Sequence, residues 1–161
     1  MARQLWLLRH GEAVPHDSKA DDADRELTGR GERQSAAAGA ALARLGQEFA
    51  AVYTSPKLRA ADTARLACEA LNVEPEEEDL LANGFDYDDA LELVGRHGDD
   101  ARVLVVGHEP SFSQVVYDLT GGRVDFKKGA VVAIRLDGSR GKLIVMLRPR
   151  ELESLAVTSP D

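Results

Sequence analysis

The chain has a single cysteine, few aromatic residues and no long apolar run. With one cysteine among 161 residues, Cys68, no disulfide can form within the chain. Such cysteine usage fits a reducing cytoplasm, which is where we expect the protein. Cys68 lies among alanines and leucines at helical spacing, so we predict a small buried core residue. No apolar run approaches the roughly 18 residues of a membrane-spanning helix, and the apolar stretch near the start predicts a strand rather than a signal peptide.

Net positive charge is also absent. The formal net charge is −8 at pH 7, which argues against nonspecific binding to nucleic acid or to an acidic membrane. Apolar residues make up 43% of the chain and charged residues 30%, as in a soluble globular protein. The length predicts one domain over residues 1–161, and we expect a monomer. An anionic ligand would need a local cluster of cations to attract it against the overall charge.

Short apolar runs alternate with helical patterns through the first 120 residues. The pattern predicts strands at 4–8, 50–54, 73–77, 102–106, 131–136 and 142–147, and helices at 28–45, 56–71, 89–96 and 111–119. Thr28 is the expected N-cap of the first helix, and Pro56 is expected in the first turn of the second. Residues 137–141 give a hairpin signal. Residues 148–161 contain two prolines and little pattern, so part of this tail is expected to be mobile.

This alternation predicts an α/β fold. We expect a mainly parallel central sheet with helices on both faces and a C-terminal antiparallel strand pair. In such sheets, ligands bind outside the carboxyl ends of the strands. Three polar motifs follow predicted strands, at residues 7–12, 55–59 and 107–110. Together they offer two arginines and two histidines, a set that suits a negatively charged phosphoryl group: Arg9, His10, Arg59 and His108.

These motifs resemble those of the histidine phosphatase superfamily, in the branch with an Arg-His-Gly motif. The similar pieces, in order, are Arg9-His10-Gly11-Glu12, Ser55-Pro56-x-x-Arg59-Ala60 and Gly107-His108-Glu109-Pro110. Leu27-Thr28-x-x-Gly31 and Phe126-x-Lys128-Gly129 are also similar. The chain has no large insertion between the second and third motifs, and in this it looks most like the SixA-type protein phosphohistidine phosphatases. The resemblance implies a phosphoglycerate mutase-like fold.

The resemblance also implies a phosphatase that uses no metal or other cofactor. His10 would be the nucleophile and would carry the phosphoryl group as a phosphohistidine. Arg9 and Arg59 would bind the phosphoryl oxygens, His108 would be a further donor, and Gly11 would help to bind the substrate. The two arginines and a protonated His108 would lower the pKa of His10 and keep it neutral for attack. The substrate would be a phosphorylated protein, such as a phosphohistidine carrier or phosphotransfer domain, or a small phosphorylated molecule.

Three functions stay open from the sequence. The first is a phosphohistidine phosphatase, the second a phosphatase of small phosphate monoesters, and the third a non-catalytic phosphate-binding regulatory module. A monoester needs a general acid to protonate its leaving oxygen. Asp86, Asp88 and Glu78 are candidates for that acid, although each is more typical of a surface residue. A phosphohistidine needs it less, because its leaving imidazole can be protonated on its own ring.

Other polar residues have weaker assignments. The roles of Glu12 and Glu109 stay open. His16 and His97 match no motif, and we predict solvated loop or helix-end residues. Ser55 is expected to turn the chain into the second helix through its hydroxyl. A metal site formed by His10 and His108 is disfavoured, because the adjacent arginines would repel a cation.

Overall fold

A six-stranded sheet forms the centre of the computed structural model, which describes residues 2–19 and 21–157. Its strands lie in the order β3-β2-β4-β1-β5-β6. Four strands run parallel, whereas β5 runs antiparallel to β1, and β6 antiparallel to β5. The sheet confirms the predicted α/β fold. The strands are β1 (Gln4–Arg9), β2 (Ala51–Thr54), β3 (Pro75–Glu77), β4 (Arg102–Gly107), β5 (Val131–Asp137) and β6 (Arg140–Leu147).

Helices cover both faces of this sheet, as predicted. They are α1 (Gly29–Arg44), α2 (Leu58–Leu71), α3 (Tyr87–Gly95), α4 (Ser111–Thr120) and α5 (Pro149–Ala156). Residues of α1, α2 and α5 pack in one core cluster, and residues of α3 and α4 pack in the other. Three short 3-10 turns complete the structure, at His16–Ser18, Asp22–Asp24 and Asp79–Leu81. In the part of the chain that the structure describes, no helix is long and apolar enough to cross a membrane.

The middle residues of the central strands β1 and β4 are all apolar because both of their faces are covered. In β1, Leu5 and Leu7 pack in the core cluster of α3 and α4, whereas Trp6 and Leu8 pack in the cluster on the opposite face. Cys68 on α2 is 6% exposed in that second cluster, which confirms the predicted core position. Burial raises the pKa of its thiol to about 11.

Two helices begin at residues other than those predicted. Helix α2 begins at Leu58, and Pro56 lies in the turn before it instead of in its first turn. That turn is closed by the Ser55 hydroxyl, which accepts a hydrogen bond from the Lys57 amide at 3.2 Å. Helix α3 begins at Tyr87, earlier than predicted, because Asp86 caps its first turn in a capping box.

The structure has a helix at residues 149–156, in the segment whose sequence shows little pattern. These residues form α5, with Pro149 in the first turn, where its missing N–H costs nothing. Leu152 is fully buried in the core cluster that contains α1, so this helix completes one face of the protein. Residues 158–161 of the predicted mobile tail lie outside the described residues.

Candidate active site

The three polar motifs meet at the carboxyl edge of β1, β2 and β4. Arg9, the last residue of β1, is paired with Gly107, the last residue of β4. The amide of His10 donates to the Gly107 carbonyl at 3.1 Å, and that of Ser55 donates to the Val106 carbonyl at 3.0 Å. The sheet therefore brings together residues that are far apart in sequence. A cleft of about 490 Å³ is lined by four of the five predicted site residues, Arg9, His10, Arg59 and His108.

The His10 imidazole is held in one tautomer by a bond to the neighbouring carbonyl. Its side chain is buried, and its Nδ1 lies 2.7 Å from the Gly11 oxygen. A carbonyl oxygen can only accept a hydrogen bond, so Nδ1 carries the ring proton. The neutral ring then has its lone pair on Nε2. The centroid of the His108 ring lies 5.2 Å from that of His10.

The pKa of His10 is lowered to about 3. Burial is the largest cause, and the charges of His108, Arg59 and Arg9 lower the pKa further. The hydrogen bond to Gly11 opposes them. The predicted direction is therefore correct, but the predicted cause is not the main one. Desolvation of the ring contributes more than the neighbouring cations.

The second histidine, His108, is also favoured in its neutral form. Burial is the main cause that lowers its pKa to about 3, and the positive charges of Arg59 and Lys57 add to this effect. The expected protonated His108 is thus not the form that this site favours. Its Nε2 lies 2.8 Å from the hydroxyl oxygen of Ser55, which is fully buried. Ser55 therefore supports the histidine as well as turning the chain, and only the turn was predictable from the sequence.

The two arginines of the cleft each keep one side-chain donor without a partner. Arg9 donates from Nη1 to the Phe126 carbonyl at 2.7 Å, and Arg59 donates from Nη1 to the Asp22 carbonyl at 3.0 Å. In contrast, Nε of each arginine is buried without a partner. Of the four buried side-chain N and O atoms among the described residues that lack a hydrogen-bond partner, three belong to the cleft residues Arg9, Arg59 and His108. Such atoms are rare in folded proteins and call for an explanation.

Asp22, in the loop between β1 and α1, orients Arg59. Its Oδ2 accepts from Arg59 Nη2 at 3.2 Å, and its Oδ1 accepts from Arg25 Nε at 2.9 Å. Burial would raise the pKa of Asp22, but the charges of Arg59 and Arg25 together hold it below its usual value. His16 also borders the cleft, with Nδ1 at 3.2 Å from Asp22 Oδ1. Sequence reasoning missed Asp22, and its spacing of three residues from Arg25 was the only signal.

Gly11, the fifth predicted site residue, holds the loop of His10 through its main chain, and its contact with substrate stays a prediction. Its amide donates to Thr63 Oγ1 at 3.1 Å, and its carbonyl is the partner of His10 Nδ1. Both main-chain groups are therefore occupied within the protein. A Cβ atom at this position would lie 2.5 Å from the Gly31 carbonyl oxygen. Glycine is required because the loop that holds His10 contacts the backbone of α1.

Two carboxylates of uncertain role line the cleft, and both are bonded within the protein. Glu12 accepts from Thr28 Oγ1 at 2.9 Å. Glu109 accepts from the amide of Ser113 at 2.8 Å and also from its hydroxyl, at the start of α4. These contacts link the catalytic loops to the first turns of α1 and α4. Both glutamates therefore stabilise the positions of those loops.

The three acids proposed from the sequence lie elsewhere. Asp86 caps α3, and Glu78 pairs with Arg96 at 2.9 Å. Neither these two nor Asp88 is among the described residues that line the cleft. His97 is also outside it, with Nε2 at 2.9 Å from the hydroxyl of Tyr53 rather than in solvent alone. Among the described residues, no group of three or more histidine, cysteine or acidic side chains could hold a metal ion.

A mostly parallel α/β sheet with two arginines and two histidines at its carboxyl edge is an arrangement that suits an anion-binding α/β protein. The model of the histidine phosphatase superfamily (branch 1) matches residues 5–85, half of the chain. The chain belongs to this superfamily, as its motifs predicted.

Several relatives, two of them with solved structures, match most of the length of this chain. The protein histidine phosphatase SixA, solved with tungstate, is 28% identical with a TM-score of 0.82, over 92% of this chain and 99% of that one. A candidate phosphohistidine phosphatase SixA from Nakamurella multipartitia is 25% identical, with a TM-score of 0.76 over 92% of this chain and 97% of that one. An uncharacterized protein of Picosynechococcus sp. is 31% identical over 85% of this chain and 87% of its own.

The fold also occurs with other phosphatase activities. A phosphoserine phosphatase of Entamoeba histolytica, solved with 3-phosphoglyceric acid, is 14% identical with a TM-score of 0.72, over 93% of this chain and 99% of that one. At this identity the likeness concerns the fold alone. The superfamily therefore defines a phosphatase class, and the substrate has to be argued from the site.

Proposed function

We propose that this protein is a phosphohistidine phosphatase that transfers the phosphoryl group to His10 and then to water. The observation that carries the proposal is a set of side-chain nitrogens without partners on residues that line the cleft together with His10. Three buried nitrogens without partners belong to Arg9, Arg59 and His108, which line the cleft of a histidine whose Nε2 keeps its lone pair. A phosphoryl group has three peripheral oxygens that need such donors. The tungstate complex of the similar SixA protein agrees, because tungstate is also an oxyanion.

In the first step, the Nε2 lone pair of His10 attacks phosphorus. A new P–N bond forms to Nε2, and the P–N bond to the substrate imidazole breaks with its electron pair leaving on that ring. Because Nδ1 is bonded to the Gly11 carbonyl, the ring stays oriented while Nε2 reacts. The low pKa of His10 means that the nucleophile is deprotonated at neutral pH without a general base.

The arginines and His108 stabilise the charge on the transferred group. Arg9 and Arg59 are anchored through Nη1 to the carbonyls of Phe126 and Asp22, so their Nε donors are fixed in advance. When Ser55 donates its hydroxyl proton to Nε2 of His108, the ring proton of that histidine lies on Nδ1 and can be donated to a phosphoryl oxygen. Donors fixed before reaction stabilise a transition state without reorganisation.

The acids around the site favour an imidazole leaving group over an alkoxide. Glu12 and Glu109 line the cleft, but their oxygens accept hydrogen bonds from Thr28 and Ser113. An alkoxide must be protonated as it leaves, whereas the substrate imidazole carries its own ring nitrogen for that proton. Phosphohistidine is thus the substrate that these side chains suit best.

In the second step, water attacks the phosphohistidine on His10. The P–Nε2 bond breaks and returns its electron pair to the ring, the water loses one proton to solvent, and inorganic phosphate leaves. The same donors on Arg9, Arg59 and His108 serve both steps, because the transferred group keeps its place while the leaving and attacking groups change.

The test is phosphate release by the purified protein, with chelator present, from a phosphohistidine peptide and from a small phosphate monoester. We expect rapid release from the peptide and slow release from the ester. His10→Ala should abolish release, and Arg59→Ala should lower kcat by about 10²–10³-fold, as for loss of one preorganised donor. His97→Asn is the matched histidine control, because this ring lies outside the cleft against Tyr53, and it should retain activity.

Rapid quenching after addition of radiolabelled phosphohistidine peptide tests for the phosphohistidine intermediate on His10. We expect label on the wild-type protein that is stable in base and lost in acid, and none on His10→Ala. Faster release from the monoester would contradict phosphohistidine specificity and assign the protein to small-molecule phosphatases. Phosphate binding without release from any substrate would favour a non-catalytic regulatory module.

A further inference from the structure

A second, basic groove adjoins the active-site cleft. The groove encloses about 450 Å³, and it shares Arg9, Glu12 and Lys128 with the cleft as lining residues. Its other cationic side chains come from the first turn of α1, from the loop before β5 and from the start of α5. We call this surface the basic groove, and its exposed cations are Arg30, Lys127, Lys128, Arg148 and Arg150.

The cations of the basic groove are only partly neutralised. Arg30 lies 3.7 Å from Glu12, Lys127 lies 3.1 Å from Asp125, and Glu151 is shared by two arginines of α5. Six cationic side chains line the groove in all, and three carboxylates pair with them. A local positive surplus therefore exists on a chain whose net charge is −8.

We propose that the basic groove docks an acidic segment of the phosphorylated protein, next to its phosphohistidine. This proposal rests on the proposed function, because it places the substrate's phosphohistidine in the adjoining cleft. An acidic partner would be repelled by most of this protein, so the groove restricts its approach to the side of the active site. The cations are long and exposed and come from three separate segments, which suits several carboxylates spread along a surface rather than one small anion.

The phosphate site and the groove act on different parts of the substrate. The donors of the cleft are buried and fixed, whereas those of the groove are exposed and partly paired. Exposed charges contribute mainly to the rate of encounter and are screened by salt. Docking should therefore change kcat/KM for a protein or peptide substrate and leave kcat largely unaffected.

The experiment compares two phosphohistidine peptides that differ only in charge. One peptide has glutamates around the phosphohistidine, and the other has glutamines at the same positions. At low salt we expect about a tenfold higher kcat/KM for the glutamate peptide, within the range of electrostatic steering. The preference should vanish at high salt and in the double variant Lys127→Glu with Arg150→Glu. Free phosphohistidine should be hydrolysed equally by variant and wild type.

A matched control changes the same charges outside the groove. Lys142→Glu with Arg65→Glu alters exposed residues on β6 and α2, neither of which lines the groove, and it should keep most of the preference for glutamate. Equal kcat/KM for the two peptides in the wild-type protein would overturn the proposal. An equal loss of preference in both double variants would also overturn it, since net charge rather than the groove would then be responsible.

Binding of the unphosphorylated glutamate peptide, followed by fluorescence anisotropy, separates this proposal from the proposed function. If no phosphohistidine substrate is hydrolysed, the proposed function fails, but salt-sensitive binding that the groove variant loses would still support the docking surface. Tight binding of inorganic tripolyphosphate with no binding of the glutamate peptide would overturn docking and assign the groove to phosphate anions.

Discussion

Gly31 lies where the first turn of α1 meets the loop that carries the proposed nucleophile. A Cβ atom at Gly31 would lie 2.0 Å from the carbonyl oxygen of Glu12, and 2.9 Å from both its carbon and its nitrogen. Those are backbone atoms, so no side-chain rotation can relieve the clash. Gly29, two residues earlier, offers a matched comparison, because its added Cβ would meet nothing closer than Arg33 Nη1 at 3.5 Å.

We predict that Gly31→Ala destabilises the protein relative to Gly29→Ala. Each substitution gains about 1 kcal/mol from the helix preference of alanine over glycine, so this gain largely cancels in the comparison. The remaining difference is the cost of overpacking at Gly31, which is about 1–3 kcal/mol in well-packed sites. Urea denaturation followed by circular dichroism measures both free energies of unfolding.

The same substitution should lower activity, because Glu12 is two residues from His10. A displacement of about 1 Å in a catalytic group can cost about 10²-fold in rate, so we expect kcat for phosphohistidine hydrolysis to fall in Gly31→Ala and not in Gly29→Ala. Equal stability and equal kcat in the two variants would refute the close contact. A destabilised but fully active Gly31→Ala would show that His10 is held independently of Glu12.

Three further predictions concern titration and packing. Because burial keeps His10 and His108 neutral, their ring signals in ¹⁵N NMR should not titrate between pH 5 and 8, and His10 should show an Nδ1–H tautomer. Below about pH 6.5 the unfolded chain binds protons at these two histidines, whereas the folded chain binds them only near pH 3. The free energy of unfolding should therefore fall as pH falls through this range, by up to about 1.4 kcal/mol per pH unit for each histidine. His10→Asn should show a shallower dependence in urea titrations at several pH values. Leu152→Ala should cost about 2–5 kcal/mol of unfolding free energy, since its side chain is fully buried, whereas a mobile tail would lose almost nothing. Cys68→Ser should keep kcat, with any loss confined to the thermal midpoint, and a large fall in kcat in a folded variant would contradict its core assignment.

The fold was predictable from sequence because its central strands are buried on both faces. Runs such as residues 103–106 are entirely apolar, and each is followed by a helical pattern that covers the sheet. The errors lie where local signals compete. A proline suits either a turn or a first helical turn, and at Pro56 the Ser55 hydroxyl favours the turn. In α5 the apolar residues Leu152, Leu155 and Ala156 pack on one core cluster, but eight residues are too short a stretch for their spacing to indicate a helix.

The four motif residues of the site were predictable because the ends of parallel strands meet at one edge of the sheet. Residues that act through tertiary contacts were not. Asp22 reaches Arg59 across 37 positions of sequence, from a loop without periodicity. The amide of Gly11 is taken by Thr63 on α2, which no local pattern indicates. A motif can therefore identify the residues that come together at the cleft, but not the groups that hold them in place.

The main cause of the lowered His10 pKa was also not predictable from the local sequence. The sequence reveals that arginines are its neighbours, and so it predicts that charge keeps the nucleophile neutral. In the structure burial is the larger cause, and burial depends on how β1, β4 and the loop after β1 close around the ring. Charge effects weaken as salt screens them, whereas desolvation does not. The proposed nucleophile is therefore kept neutral mainly by the fold, and the proposed contact of the arginines with the phosphoryl group does not depend on their effect on its pKa.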